Sequence, residues 1–216
     1  MKVGFRSETG HVRKRNEDAL LVDTEGRVFA VADGMGGHPA GDVASAVAIA
    51  RLKEFFGSYD GSDPAATVVS ALEEAHAAVL ADSQTQPDRR GMGSTAVVAL
   101  LAEDAAWVGH VGDSRCYLLA EADGLRQVTE DHGAGGYLTQ ALGLDRGVSP
   151  DVAPVPIVAG QRLLLCTDGL TNMVDDAEIA AILRETGDAQ TASDALTSAA
   201  LDAGGVDNVT TIVIDC

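Results

Sequence analysis

Two rhythms of apolar residues alternate along the chain and place its elements. Short β-prone runs at Leu20–Asp23 and Arg27–Ala32, split by Thr24-Glu25-Gly26, predict a hairpin. Gly41–Phe56 carries apolar residues at helical spacing behind an acidic start, which predicts an amphipathic helix. Beyond the turn residues Ser58–Asp63, Pro64 opens a second long helix, with Asp63 as N-cap and an end near Asp82. Gln84–Gly93 is a polar connector, after which the period shortens. Ser94–Ala102, Ala105–Val111 and Arg115–Ala120 predict successive strands with tight connections at Glu103-Asp104 and Gly112-Asp113-Ser114, and Gln127–Val128 adds a short one. Tyr137–Leu142 is expected to form a helical turn. Arg162–Cys166, bounded by Gly160 and Thr167-Asp168-Gly169, predicts a fully buried strand. Helices from Asp175 to about Glu185 and from about Thr191 to Ala203 precede a last strand, Val209–Ile214. Helices come in pairs and strands in groups, a pattern that favours an α+β layered sandwich over a doubly wound parallel sheet. No repeat, charge block or linker divides the 216 residues, so one domain is expected.

Composition narrows the picture. With 46% hydrophobic but 4% aromatic residues, the core must be built from Ala, Val, Leu and Ile. A formal charge of −18 argues against nucleic acid or an anionic membrane as the main partner, because phosphate backbones call for Lys and Arg. That charge reads either as a solvated acidic surface or as containing metal ligands. Cys116, Cys166 and Cys216 lack disulfide or metal-ligand spacing and read as free thiols of a reducing compartment. No apolar signal region opens the chain, and no segment approaches the roughly 20 apolar residues of a bilayer span, so a soluble cytoplasmic protein without membrane insertion is expected.

The candidate chemistry lies in the aspartates. Asp33, Asp113 and Asp168 each stand at or just past the end of an apolar run, Asp207 immediately precedes the last strand, and Asn16-Glu17-Asp18 precedes Ala19–Val22. One Asp in a turn is ordinary, since it bonds its own backbone. Five such spots, on runs that should lie side by side, would gather carboxylates at one sheet edge, where they repel unless a hard divalent cation neutralises them. With no His or Cys cluster legible, Mg²⁺ or Mn²⁺ fits better than zinc. Four glycines crowd the eight positions after Asp33, yet the stretch matches no dinucleotide fingerprint, which would need glycine where Pro39 stands, and no Walker loop, which would end in Gly-Lys-Ser/Thr. The glycines therefore serve close backbone approach around the acids rather than a nucleotide.

In order, RKRNED (Arg13–Asp18), VADGMGGHPAGDVAS (Val31–Ser45), GSTAVV (Gly93–Val98), HVGDSRCY (His110–Tyr117), LLCTDGL (Leu164–Leu170) and DNVTTIVI (Asp207–Ile214) resemble the PPM family, the metal-dependent protein serine/threonine phosphatases of type 2C, in their compact bacterial form. The resemblance spans nearly the whole chain. It implies a four-layer α-β-β-α sandwich, with two mainly antiparallel sheets flanked by helix pairs. It also implies hydrolysis of phosphoserine and phosphothreonine by a water bridging two Mn²⁺ or Mg²⁺ ions. Carried over residue by residue, Asp33 bridges the ions and the Gly34 carbonyl binds the first. Asp168 and Asp207 bind the second, and Glu17 and Asp18 hold metal-bound waters. Asp113 helps bind a weaker third ion, and Arg13 grips the substrate phosphate. His38 either protonates the leaving oxygen or merely caps its loop or orders water. His76 and His110 read as structural, and His132, in the polar loop Glu130–Gly136, as an exposed residue. Phosphorylated Ser/Thr proteins and a cognate Ser/Thr kinase are the implied partners, and the chain is expected to act as a monomer.

One segment departs from the family pattern. Where many bacterial members carry a helical flap, Thr129–Gln140 reads TEDHGAGGYLTQ, so the flap is reduced to a short loop around 129–140. A more open cleft and weaker third-metal affinity are expected. A catalytically silent module is disfavoured because Asp33, Asp168, Asp207 and Arg13 are all present. A two-metal esterase acting on nucleic acid is disfavoured by the charge.

Overall fold

The computed structural model describes residues 1–35, 40–102, 105–134 and 137–216, with the side chain of residue 134 excepted. The strands are β1 (Lys2–Glu8), β2 (Asp18–Asp23), β3 (Val28–Asp33), β4 (Ala96–Ala102), β5 (Ala105–Val111), β6 (Arg115–Ala120), β7 (Gly124–Gln127), β8 (Gly133–Ala134), β9 (Tyr137–Leu138), β10 (Asp151–Pro156), β11 (Arg162–Cys166) and β12 (Val209–Asp215). The helices are α1 (Gly41–Phe56), α2 (Pro64–Thr85), α3 (Asp168–Thr171), α4 (Asp176–Glu185) and α5 (Ala189–Asp202). Two five-stranded sheets, ordered β1-β12-β11-β6-β7 and β10-β5-β4-β3-β2, have antiparallel neighbours throughout.

Strand periodicity explains both the layering and the unbroken apolar runs of the sequence. On β3, Phe29 and Val31 enter the layer between the sheets, while Val28, Ala30 and Ala32 enter the layer beneath α1 and α2. β4 divides likewise, with Val97 and Ala99 between the sheets and Ala96, Val98 and Leu100 toward the helices. On β11, Leu163 and Leu165 face inward, and Leu164 and Cys166 face the layer that holds Ile179, Leu183 and Leu196 of α4 and α5. Strands covered on both faces have no solvent side to mark with polar residues. Small side chains let the layers close up: a Cβ on Gly4 would collide with the Ala189–Gln190 backbone at the start of α5.

The helix predictions hold closely. Asp63 caps α2 by accepting from Ala66 N at 3.0 Å, and the helix continues three residues past Asp82. The β2–β3 turn closes through Asp23 Oδ1, which accepts from Gly26 N at 2.9 Å, and Arg27 takes a left-handed φ of 56°, so β3 starts one residue later than expected. The short strand near Gln127 lies earlier than predicted, at Gly124–Gln127, where the chain folds back on β6. The helical turn expected at Tyr137–Leu142 is a correction. Tyr137 and Leu138 pair with Gly133 and Ala134, and Leu142 bridges Ser94, because backbone partners across the loop outcompete a lone turn. β1, β10 and α3 were not anticipated. Cys116 and Cys166 are buried free thiols, and burial pushes both thiol pKa values up. Among the described residues no helix is long and apolar enough to cross a membrane.

Candidate metal centre

The acids converge where the layer between the sheets reaches the surface. Asp18 and Asp33 are directly opposite each other on β2 and β3 and continue the inward-facing rows of Leu20 and Val22, and of Phe29 and Val31. Asp168 follows β11, Asp207 precedes β12, and Asp113 lies between β5 and β6. The expectation of one sheet edge is therefore corrected, since both sheets contribute. With Arg13, Met35 and Thr95, four of these aspartates (Asp33, Asp113, Asp168 and Asp207) line an open cleft of about 770 Å³.

Neutral groups hold Asp18, Asp168 and the Asp33 backbone. Asp18 Oδ2 accepts from the hydroxyls of Thr210 at 2.7 Å and Thr167 at 2.9 Å, while its buried Oδ1 has no partner. Asp168 Oδ2 accepts from Asn172 Nδ2 at 3.0 Å, and its Oδ1 is likewise buried and unpartnered. The Asp33 backbone is pinned on both sides: its N–H donates to Thr95 Oγ1 at 3.1 Å, and its carbonyl accepts from Thr95 N at 2.8 Å and Ser94 Oγ at 2.9 Å. Gly34 N donates to the Glu17 carbonyl at 3.0 Å, and a Cβ on Gly34 would collide with the Gly41 carbonyl. That glycine lets the end of β3, the start of α1 and Glu17 meet. Gly169 serves the same end, because a Cβ there would overlap the Asn208 carbonyl.

Asn208, 4% exposed, organises the loop that carries Arg13 and Glu17. Its Oδ1 accepts from Glu17 N at 2.8 Å, and its Nδ2 donates to the carbonyls of Thr9 at 2.8 Å and Arg15 at 2.9 Å. Neither Asn208 nor the threonines 95, 167 and 210 were singled out from the sequence. Their signal is weak there, as small polar residues bordering apolar runs. Arg13 Nη2 donates to Asp207 Oδ2 at 2.7 Å, and this bond raises the guanidinium pKa.

The electrostatics show what such a cluster calls for. Burial, then the charges of Asp18 and Asp168, push the Asp33 carboxyl pKa well up. Burial likewise raises Asp18, Asp168 and Glu17, and lifts Asp113 to about 6 with help from the charge of Asp168. Like charges opposite each other on paired strands destabilise a sheet, and buried carboxylate oxygens without partners are rare. A hard cation bound by those oxygens, directly or through its waters, removes both penalties, and the all-oxygen donor set suits Mg²⁺ or Mn²⁺. Eight of the nine site residues expected from the sequence thus fall in or beside one cleft. The ninth, His38, lies outside the described residues.

Converging carboxylates at the mouth of a two-sheet sandwich define a site for hard divalent cations. The family model described as Protein phosphatase 2C matches residues 9–203, and the chain belongs to that family. It is 34% identical to the serine/threonine phosphatase stp of Listeria innocua, with all of this chain and 96% of that protein covered. It is 35% identical to the serine/threonine protein phosphatase PstP of Mycobacterium tuberculosis, where the match takes 45% of that longer protein. The crystal structure of the PstP catalytic domain in complex with two manganese ions superposes with a TM-score of 0.90 at 36% identity, covering 99% of this chain and 97% of that one. The four-layer architecture expected from the resemblance is the observed one.

Proposed function

We propose that this chain hydrolyses phosphoserine and phosphothreonine in proteins with the help of two Mn²⁺ or Mg²⁺ ions, as a single domain spanning 1–216. The observation that carries the reading is the pair of buried, partnerless Oδ1 atoms on Asp168, which lines the cleft with Asp33 and Asp207, and on Asp18, which stands opposite Asp33. Asp33, the Gly34 carbonyl, Asp168 and Asp207 would hold the ions directly, and Glu17 and Asp18 through water. When bound, the ions supply a nucleophilic water at neutral pH and offset phosphoryl charge. The two threonine hydroxyls fix Asp18 Oδ2, so that Oδ1 keeps its lone pairs free. Arg13, exposed and tied to Asp207 through one Nη, has further N–H groups with which to grip a phosphate. Asp113 is assigned to a weaker third ion. His38 keeps the general-acid role on its sequence position alone.

The acidic cleft suits a phosphate ester only once metals reverse its sign, which supports obligate metal dependence. The physiological setting proposed is a soluble cytoplasmic monomer opposing a Ser/Thr kinase. Assaying a phosphothreonine peptide with Mn²⁺, with EDTA, and with Asp33→Asn and Asp207→Asn tests the reading. Activity is expected with Mn²⁺ alone and the unaltered chain. Turnover that survives chelation sinks the two-metal assignment.

A further inference from the structure

The loop residue expected to be exposed, His132, is 8% exposed and makes a reciprocal pair of bonds with Gly112. His132 N donates to the Gly112 carbonyl at 2.9 Å, and Gly112 N donates to His132 Nδ1 at 3.2 Å. Because a backbone N–H can only donate, Nδ1 must be the unprotonated nitrogen, and Nε2 carries the proton, which it donates to Asp151 Oδ2 at 3.0 Å. Gln140 Nε2 also lies 3.3 Å from Nδ1. The His110 ring stacks on His132 with centroids 4.4 Å apart, and its Nε2 donates to the Glu130 carbonyl at 2.7 Å.

His110, His132 and Asp151 offer ligand atoms within 4.8 Å of one another, the composition of a transition-metal site. The tautomer opposes that reading. A metal on Nε2 needs a proton on Nδ1, where a ligating histidine ordinarily donates outward, yet the Gly112 N–H already points there. The cluster is instead a hydrogen-bonded clip. What it clips is specific: Gly112 has φ +105°, and a Cβ there would lie 2.6 Å from Thr95 Cγ2, so only glycine fits. Asp113 then sits between two anchors, Gly112 on His132 and Ser114 Oγ on Thr95 Oγ1 at 2.7 Å. The same loop is braced by Arg115, whose Nε and Nη2 reach Asp131 at 2.9 and 2.7 Å.

We propose that His132 is a positioning residue for Asp113: by holding both the N–H and the carbonyl of Gly112, it sets the direction of the Asp113 carboxylate into the cleft. The shortened segment thereby supports the metal end of the site from behind. This rests on the reading of Asp113 as a ligand of a weaker ion. Asparagine at 132 can keep an acceptor where Nδ1 stands, whereas glutamine places its polar atoms near Nε2.

The test is a double-mutant cycle read as kcat/KM and half-activating Mn²⁺ concentration, with thermal unfolding as a check on folding. His132→Gln is expected to lower kcat/KM about tenfold and shift Mn²⁺ activation in the same direction as Asp113→Asn, the usual size for an outer-shell partner. His132→Asn should stay within about twofold of the unaltered chain, and His132→Gln should add no more than about twofold to Asp113→Asn. Losses that multiply, or Asn and Gln variants that behave alike, would overturn the proposal. So would an Asp113→Asn variant with unaltered kinetics, while Mn²⁺-dependent turnover lost in Asp33→Asn shows that the phosphatase reading itself stands. Should His132→Gln fail to fold, ring ¹⁵N spectra of the unaltered chain decide: a protonated Nδ1 on His132 rejects the clip.

Discussion

On one side of the cleft, Asp33, Asp168 and Asp207 stand at the ends of strands from both sheets, and the neighbouring Asp18 is pinned by threonines at strand ends. The opposite wall comes from Tyr137 and Leu138 on the two-residue pairing β8–β9, and from Leu144, Asp145 and Arg146 on the loop beyond. Tyr137 is 83% exposed, and Arg146 is tied to this region by a 3.3 Å bond to the Leu138 carbonyl. The acids sit in or beside the ends of packed strands: Asp18 and Asp33 in β2 and β3, Asp168 two residues past β11 and Asp207 two before β12. Tyr137, Asp145 and Arg146 of the opposite wall are exposed and lie on light chain. The contrast frames a division that experiment can break: on the proposed function, the packed strand ends hold the metals and the lighter wall meets the substrate.

The hardest test of that contrast is Asp33→Asn or Asp168→Asn. Each is expected to lower kcat roughly 10³-fold or more on any phosphoester, measured with saturating Mn²⁺. In EDTA, Asp33→Asn should also raise the melting temperature, because it removes a buried carboxylate repelled by Asp18 and Asp168. A metal-free variant less stable than its parent would contradict the electrostatic account. Next in size, Arg13→Ala should raise KM about 10–100-fold with a smaller change in kcat, the worth of charge-assisted bonds to a phosphate.

The acids also predict a pH dependence. Carboxyls with raised folded-state pKa values bind more protons folded than unfolded, so stability without metal falls as pH rises from the ordinary Asp range through the Asp113 value of about 6. The rise in melting temperature produced by Mn²⁺ should therefore be larger at pH 7.5 than at pH 5, where protons compete for the same oxygens. A metal effect that grows toward acid would reverse the assignment. The smallest effect is expected on the light side of the cleft. Tyr137→Ala should change kcat/KM roughly two- to fivefold on phosphopeptides and leave a small aryl phosphate unaffected. A loss there as large as that of Asp33→Asn would erase the distinction between the two sides.

Much of this protein is legible in its sequence. Apolar period and caps place α1 and α2 nearly to the residue, because Asp63, Pro64 and the i, i+4 alanines act locally. The order of motifs likewise named the acids and Arg13. Tertiary structure alone decided which sheet each acid comes from: cross-strand register sets Asp18 opposite Asp33, and packing of the two sheets brings Thr210 of the other sheet onto Asp18. It also decided the fate of the quiet residues. Asn208 and His132 look like ordinary polar loop residues, and their partners lie 191 positions away in Glu17 and 20 away in Gly112. A residue whose role is to satisfy a distant backbone group leaves no periodic trace, since the constraint exists only once the chain has folded around it.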